Sequence, residues 1–209
     1  MPPSTPRGPS AARAGRLTLF GPLPPDAFFS IPSAITLARL AGSLVFFVLA
    51  VLRQNPLYNY IGLGIHWAGD FSDGFYARRF HQETVAGAEI DIIADRVETL
   101  FFFLNFLHVR PWLFLPVTLY LVDFAFVDFY LSNQFRAFGL ISPNYFYKVD
   151  RRVYDWNFSP VGKFANSTVV TLALIFLPAG WWGLPAVLAC ILIAIKLSSI
   201  DILRRKRRT

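Results

Sequence analysis

Between Gly69 and Asp95 the chain reads GDFSDGFYARRFHQETVAGAEIDIIAD, six acidic side chains inside a sequence that is 55% hydrophobic. Asp70 and Asp73 are three apart and Asp91 and Asp95 four apart. On a helix both spacings set side chains on one face. A turn near 79–86 would make the two helices antiparallel neighbours, so the four carboxylates converge at similar depth. Left bare in a membrane helix, a charge costs about 2.5–3.5 kcal/mol on the lenient scale, and mutual repulsion adds to that. A divalent cation removes both penalties. Hard carboxylate oxygens suit magnesium, manganese or calcium rather than zinc, and such a cation commonly serves a substrate phosphate.

The residues between the acids agree. Gly74 and Ala77 are small and leave space for a nucleotide or a second backbone. Arg78 is a bidentate phosphate partner, and Gly87 lies one turn before Asp91.

The elements that must hold these residues are membrane helices. Charged residues are only 16% of the 209, with 22 Phe and 5 Trp; this composition belongs to several spans rather than a soluble domain. Six stretches approach the required length of about 20 apolar residues: 33–53, 57–80, 85–109, 112–135, 161–179 and 183–203. Pro and Gly punctuate the junctions, and all six read as helices because open strand edges go unsatisfied in lipid. The expected fold is therefore all-α, an integral membrane six-helix bundle over 32–203. Before it, 1–31 holds a disordered Pro- and Ser-rich tail and a proline-broken surface segment, LTLFGPLPPDAFF. A basic tail, 204–209, follows.

The net charge of +7 sits at the ends of the apolar runs. That pattern fits topology and anionic lipid rather than nucleic acid. Arg7, Arg13, Arg16, Arg78, Arg79, Arg136, Lys148, Arg151, Arg152, Lys163 and the basic residues at 204–208 fall on one side, against Arg53 and Arg110 on the other. Both termini are therefore expected in the cytoplasm, with Trp112, Trp181 and Trp182 at the far interface and Trp156 at the near one. Cys190, the single cysteine, allows no intramolecular disulfide and reads as a packed small residue in an apolar run.

Written as a pattern, Asp70-x2-Asp73-Gly74-x2-Ala77-Arg78-x8-Gly87-x3-Asp91-x3-Asp95 is similar at every fixed position to the signature of the CDP-alcohol phosphatidyltransferase family. The segment IPSAITLAR, 31–39, resembles that family's Pro-Asn-x-Leu-Thr-x-x-Arg start of the first span, with Ser33 in place of Asn. SPVGKFANST, 159–168, faintly resembles a Gly-Lys-x-Lys-Thr stretch of its phosphatidylglycerophosphate synthase branch, with Ala165 in place of the second Lys. The resemblance implies metal-dependent transfer of a phosphatidyl group from a CDP-linked lipid donor to an alcohol acceptor, with release of CMP, in phospholipid biosynthesis. It implies that Asp70, Asp73 and Asp91 hold one or two magnesium or manganese ions. Asp95 is implied as the general base and as a further contact to the metal. Gly74, Ala77, Arg78 and Gly87 would surround the CDP moiety. A homodimer is implied as well.

Two rivals to this reading are a proton or cation pathway in a transporter and an aspartate-rich prenyltransferase. The first needs no Gly-x-x-Ala-Arg between its acids, and the second has other Asp spacings. Among the other acids, Glu89 and Glu98 are expected to pair with Arg96 or face a helix neighbour, and Glu83 to be solvated. Asp123 is expected to bond between helices or to partner a membrane Arg, and Asp128 either to do the same or to wall an acceptor cavity. His66 and His81 read as packing and interface residues, His108 as a loop end. An acceptor phosphate, as in glycerol 3-phosphate or an inositol phosphate, would be held by Arg136, Arg151, Arg152 and Lys163. Cardiolipin or phosphatidylserine synthesis by the same chemistry stays open.

Overall fold

A computed structural model describes residues 21–208. The expected disordered tail, the first residues of the surface segment, and Arg7, Arg13 and Arg16 lie outside the described residues. Six long helices follow one another among those described, close to the expected bounds. They are α1, Ile31–Leu52; α2, Pro56–Arg79; α3, Val85–Val109; α4, Pro111–Phe138; α5, Pro160–Phe176; and α6, Gly183–Arg208. The protein is an all-α, multi-pass membrane protein.

The starts of the helices are written locally. Ser30 caps α1 by accepting from the Ser33 amide, with proline in the first turn. Asn55 caps α2 by accepting from Leu57, again ahead of a proline, and Thr84 caps α3 by accepting from Gly87. Ser159 does the same for α5 through the Gly162 amide. Such side chains satisfy amides that the first turn leaves free. Between α1 and α2, Gln54 takes φ 51, and between α2 and α3, His81 takes φ 53. These left-handed residues make both turns short enough for the helices to run antiparallel.

The segments Ile31–Leu52, Pro111–Phe138 and Ala179–Arg208 are long and apolar enough to cross a membrane, and Pro160–Phe176 is a shorter apolar helix. The helices α2 and α3 have the length, 24 and 25 residues, but they carry the acidic residues. At 1.5 Å per residue each reaches roughly 36 Å, beyond the roughly 30 Å of a hydrocarbon core. The basic residues at 204–208 continue α6 instead of leaving it. Cations in a last turn complement the helix dipole, and Arg205 pairs with Asp201 one turn back at 2.7 Å.

Two apolar clusters hold the bundle. Phe47, Phe102, Phe103, Phe106 and Tyr120 lock α1, α3 and α4 at the half remote from the acids, with Val170, Leu174 and Ala189 brought in by α5 and α6. Beneath the acidic end, Ile92, Leu131, Phe135, Ile200 and Leu203 pack with Phe146, Val153 and Phe158 of the connection 139–159. That connection is folded into short helical turns, Pro143–Lys148 and Arg151–Val153 among them. Its apolar residues are buried, which is why it is not a free loop. Cys190 departs from expectation. It is exposed on α6, because the apolar run around it turns one face outward and a membrane helix needs apolar residues on that face too.

Candidate active site

The short turn after Arg79 and the caps at Thr84 and Ser30 bring the ends of α1, α2 and α3 together. Asp70 and Asp73 then face Asp91 and Asp95. Carboxylate oxygens of Asp70, Asp91 and Asp95 all lie within 4.8 Å of one another. Asp73 stands beside this trio and is buried; its Oδ2 accepts from the Thr36 hydroxyl at 2.7 Å.

The centre of the cluster is Arg39 of α1. Its Nη1 lies 3.5 Å from Asp70 and 3.7 Å from Asp73, and its Nη2 lies 3.3 Å from Asp91, 2.9 Å from Asp95 and 3.2 Å from Glu98. The side chain is 1% exposed. Its approach depends on Gly69, where a Cβ would come within 2.4 Å of Arg39 Cγ and Cδ. Glu98 forms a floor to the cluster. It accepts from Ser43 Oγ at 2.6 Å and meets His66 Nδ1 at 2.8 Å.

Five carboxylates around one guanidinium leave the site strongly electronegative. The Nε and Nη1 of Arg39 are buried without a hydrogen-bond partner among the described residues. Hard oxygen ligands converging within 4.8 Å with negative charge to spare fit a magnesium- or manganese-type cation.

These groups open into a cavity of about 590 Å³ lined by Gly74, Ala77, Arg78 and Gly87 as well as all four aspartates, within the size range of small-molecule sites. The small residues also fix local geometry. A Cβ at Gly74 would sit 3.1 Å from Arg78 Nη1, and one at Gly87 would sit 2.8 Å from Thr84 Oγ1 and 3.2 Å from Ser33 Oγ. Of the basic residues expected at an acceptor phosphate, Lys163 lines the cavity. Arg136 pairs instead with Glu89 at 2.5 Å and Arg151 with Asp155 at 3.1 Å, and neither these two nor Arg152 contributes to the cavity wall.

Of the other expected roles, Glu89 and Glu98 face helix neighbours rather than pair with Arg96: Glu89 takes Arg136, and Glu98 takes Ser43, His66 and Arg39. Arg96 reaches Asp128, which both lines the cavity and pairs between helices. His66 is part of the polar floor and not simple packing. Asp123 bonds between helices, one of its two expected roles, and its partner is Lys196 of α6 rather than an Arg. Glu83 accepts from the Tyr145 hydroxyl at 2.6 Å. Thr36 and Arg39 stand in the segment IPSAITLAR, 31–39, without a role attached to them there, and Lys196 stands in no motif. The usable signal is a lone Arg or Lys within an apolar span, which marks a partner or a functional site.

Comparison with known proteins identifies a family and several relatives. A family model described as CDP-alcohol phosphatidyltransferase matches residues 29–199. A CDP-diacylglycerol–glycerol-3-phosphate 3-phosphatidyltransferase of Cereibacter sphaeroides is 34% identical over 106 residues, 48% of this chain and 48% of that protein. A protein of the same name from Aquifex aeolicus is 34% identical over 79 residues, 37% and 43% of the two chains. A CDP-diacylglycerol–inositol 3-phosphatidyltransferase of Candida albicans is 34% identical over 74 residues, 35% and 31%. The chain thus matches less than half the length of these curated relatives. No solved structure gives a significant match.

Proposed function

We infer the reaction from one premise: the chain belongs to the CDP-alcohol phosphatidyltransferase family. It transfers the phosphatidyl group of a CDP-linked donor such as CDP-diacylglycerol to an alcohol acceptor and releases CMP. The observation that carries this reading is the convergence of Asp70, Asp91 and Asp95 on a cavity walled by Gly74, Ala77, Arg78 and Gly87.

Asp70, Asp73, Asp91 and Asp95 would hold one or two magnesium or manganese ions, which supply neutralising charge for the donor pyrophosphate and the departing CMP. Arg78 adds a guanidinium for phosphate oxygens. Arg39 binds Oδ1 of Asp95 at 2.9 Å, which leaves Oδ2 for the acceptor. Asp95 takes the hydroxyl proton as the acceptor oxygen bonds to the phosphatidyl phosphorus. The bond from that phosphorus to the cytidylyl oxygen breaks, and CMP leaves with the electron pair.

The acceptor carries a phosphate, as glycerol 3-phosphate or an inositol phosphate does. Supporting this are the names of the relatives from Cereibacter and Aquifex and the position of Lys163 on the cavity wall. Arg136, Arg151 and Arg152 have weaker claims, since they stand off that wall. Both termini face the cytoplasm, a reading the basic-residue bias supports, and the protein works as a homodimer, which native mass spectrometry in mild detergent checks.

The test is CMP release by purified protein with labelled CDP-diacylglycerol and a panel of alcohols. Asp95→Asn should lower turnover by about 100-fold or more, the usual contribution of a general base, with donor binding largely intact and manganese binding weakened less than in the other aspartate variants, because Asp95 acts mainly as the base. Asp70→Asn and Asp91→Asn should raise the manganese concentration needed. Lys163→Ala should raise the acceptor KM and leave the donor KM unchanged. Normal turnover in all three aspartate variants would refute the site and make ion flux in proteoliposomes the next measurement. An unchanged acceptor KM in Lys163→Ala would point to a lipid or uncharged acceptor.

A further inference from the structure

Lys196 of α6 is fully buried, with Asp123 of α4 equally buried beside it. Its Nζ lies 2.5 Å from Asp123 Oδ2 and 3.2 Å from Asp128 Oδ1. The other oxygen of Asp128 takes the Arg96 guanidinium, which also lies over the Phe124 ring, 4.4 Å from its centroid. Nη1 of Arg96 stands 3.8 Å from Asp95 Oδ2. A continuous line of charge therefore runs from α6 through α4 to α3 and ends on Asp95. Two cations and two carboxylates balance, so the line adds no net charge to the interior.

We propose that Asp123, Lys196, Asp128 and Arg96 form a positioning chain for Asp95. Lys196 sets the turnover of the transfer without touching substrate. The inference rests on the role given to Asp95 under Proposed function. Its first support is backbone geometry. Residues five apart on an α-helix point well away from each other, roughly 140° around the axis. Asp123 and Asp128 instead share Lys196, because α4 widens over Asp123–Asp128 into a π-helical turn, bonded i to i+5, that stacks them. Such widened turns concentrate at functional sites. Its second support is reach. A structural pair would be complete with Lys196 and Asp123, yet Asp128 and Arg96 extend the line to the cavity wall. Its third is that Asp95 is flanked on both sides: Arg39 bonds Oδ1 at 2.9 Å, and Arg96 stands 3.8 Å from Oδ2, close enough to orient that oxygen electrostatically and too far to occupy it. The two guanidiniums together hold the carboxylate with Oδ2 open to the acceptor. Stability alone is a poor account of the chain, since buried ion pairs are often replaceable by neutral groups without loss.

The deciding variant is Lys196→Met/Asp123→Asn, which removes one cation and one carboxylate together and leaves Arg96 with Asp128. Positioning predicts an unchanged melting temperature, both KM values within about 2-fold, kcat down by about 10-fold, and weaker manganese binding by electron paramagnetic resonance, of the size seen when groups behind metal ligands are lost. Arg96→Lys, which keeps the charge but not the fork, should show the same split and decides the matter if the double variant does not fold. Wild-type kcat together with wild-type manganese affinity in the variant that folds would overturn the proposal, as would a kcat loss equal to the loss of folded protein. Failure of the transferase reading is separable. It appears as no transfer by the wild type, and the manganese arm then tests the chain alone.

Discussion

Arg39 stands within ion-pairing distance of five carboxylates drawn from two other helices. Removing one partner of a buried ionic group costs about 3–5 kcal/mol, and here the removal would leave Asp70, Asp73, Asp91, Asp95 and Glu98 facing one another. Arg39→Met should therefore melt far below the wild type in chelator, and millimolar magnesium should recover more of its melting temperature than of the wild type's, because a bound cation favours the folded state by mass action. Equal magnesium shifts in both proteins would contradict that role. Gly69 gives a second residue-scale expectation. Gly69→Ala drives a Cβ into the Arg39 stem, so overpacking of about 1–3 kcal/mol is expected, with slower CMP release. Gly64→Ala, where a Cβ meets nothing within 4 Å, is the matched control.

At the scale of elements, the connection 139–159 closes over the acidic end. Asp150 caps the turn Arg151–Val153 through the Arg152 and Val153 amides and meets Lys206 of α6 at 2.9 Å. Burial acts to raise the Asp150 carboxyl, but the Lys206 bond and the two amides outweigh it and hold it below the usual range. Tyr145 ties the same connection to the α2–α3 turn through Glu83. That hydrogen bond, with burial second, pushes the Tyr145 hydroxyl up to about 12. Because the folded value exceeds the unfolded one near 10, the tie is fully present below about pH 10 and is lost as pH rises toward 12. The difference in melting temperature between wild type and Tyr145→Phe should hold steady below pH 10 and shrink above it. A difference that stays constant to pH 12 would contradict a raised Tyr145 pKa and the Glu83 hydrogen bond as its cause.

At the scale of the molecule, the site sits where α1, α2 and α3 meet the ends of α4, α5 and α6, with the connection 139–159 and the C-terminal turn of α6 at the same end. Lys206 reaches the Val149 carbonyl at 2.6 Å, so positions 148 and 205 share a face. After removal of the exposed Cys190, single cysteines at Lys148 and Arg205 should react with an impermeant maleimide from one side of the membrane, and one at Gly180 from the other. Labelling of 148 and 205 from opposite sides would reject the six-span arrangement.

The sequence by itself determined the six helices, since length, apolar run and the Pro, Gly, Ser and Asn stops are local properties of the chain. It also determined that Asp70, Asp91 and Asp95 would meet, because helical periodicity and a short turn leave two antiparallel neighbours few other arrangements. The placing of Arg39 among them needed tertiary structure. Its partners lie 31 to 59 residues away, and the approach depends on a glycine in another helix. Lys196 was hidden for the same reason, inside an apolar run with no local mark of its partners, and the widened turn in α4 that aligns Asp123 with Asp128 has no signature in DFAFVD. Which basic residues face the cavity was equally illegible. The topological bias puts Lys and Arg at that end of the bundle, and only packing turns Lys163 inward while Arg136 and Arg151 pair with acids outside the cavity.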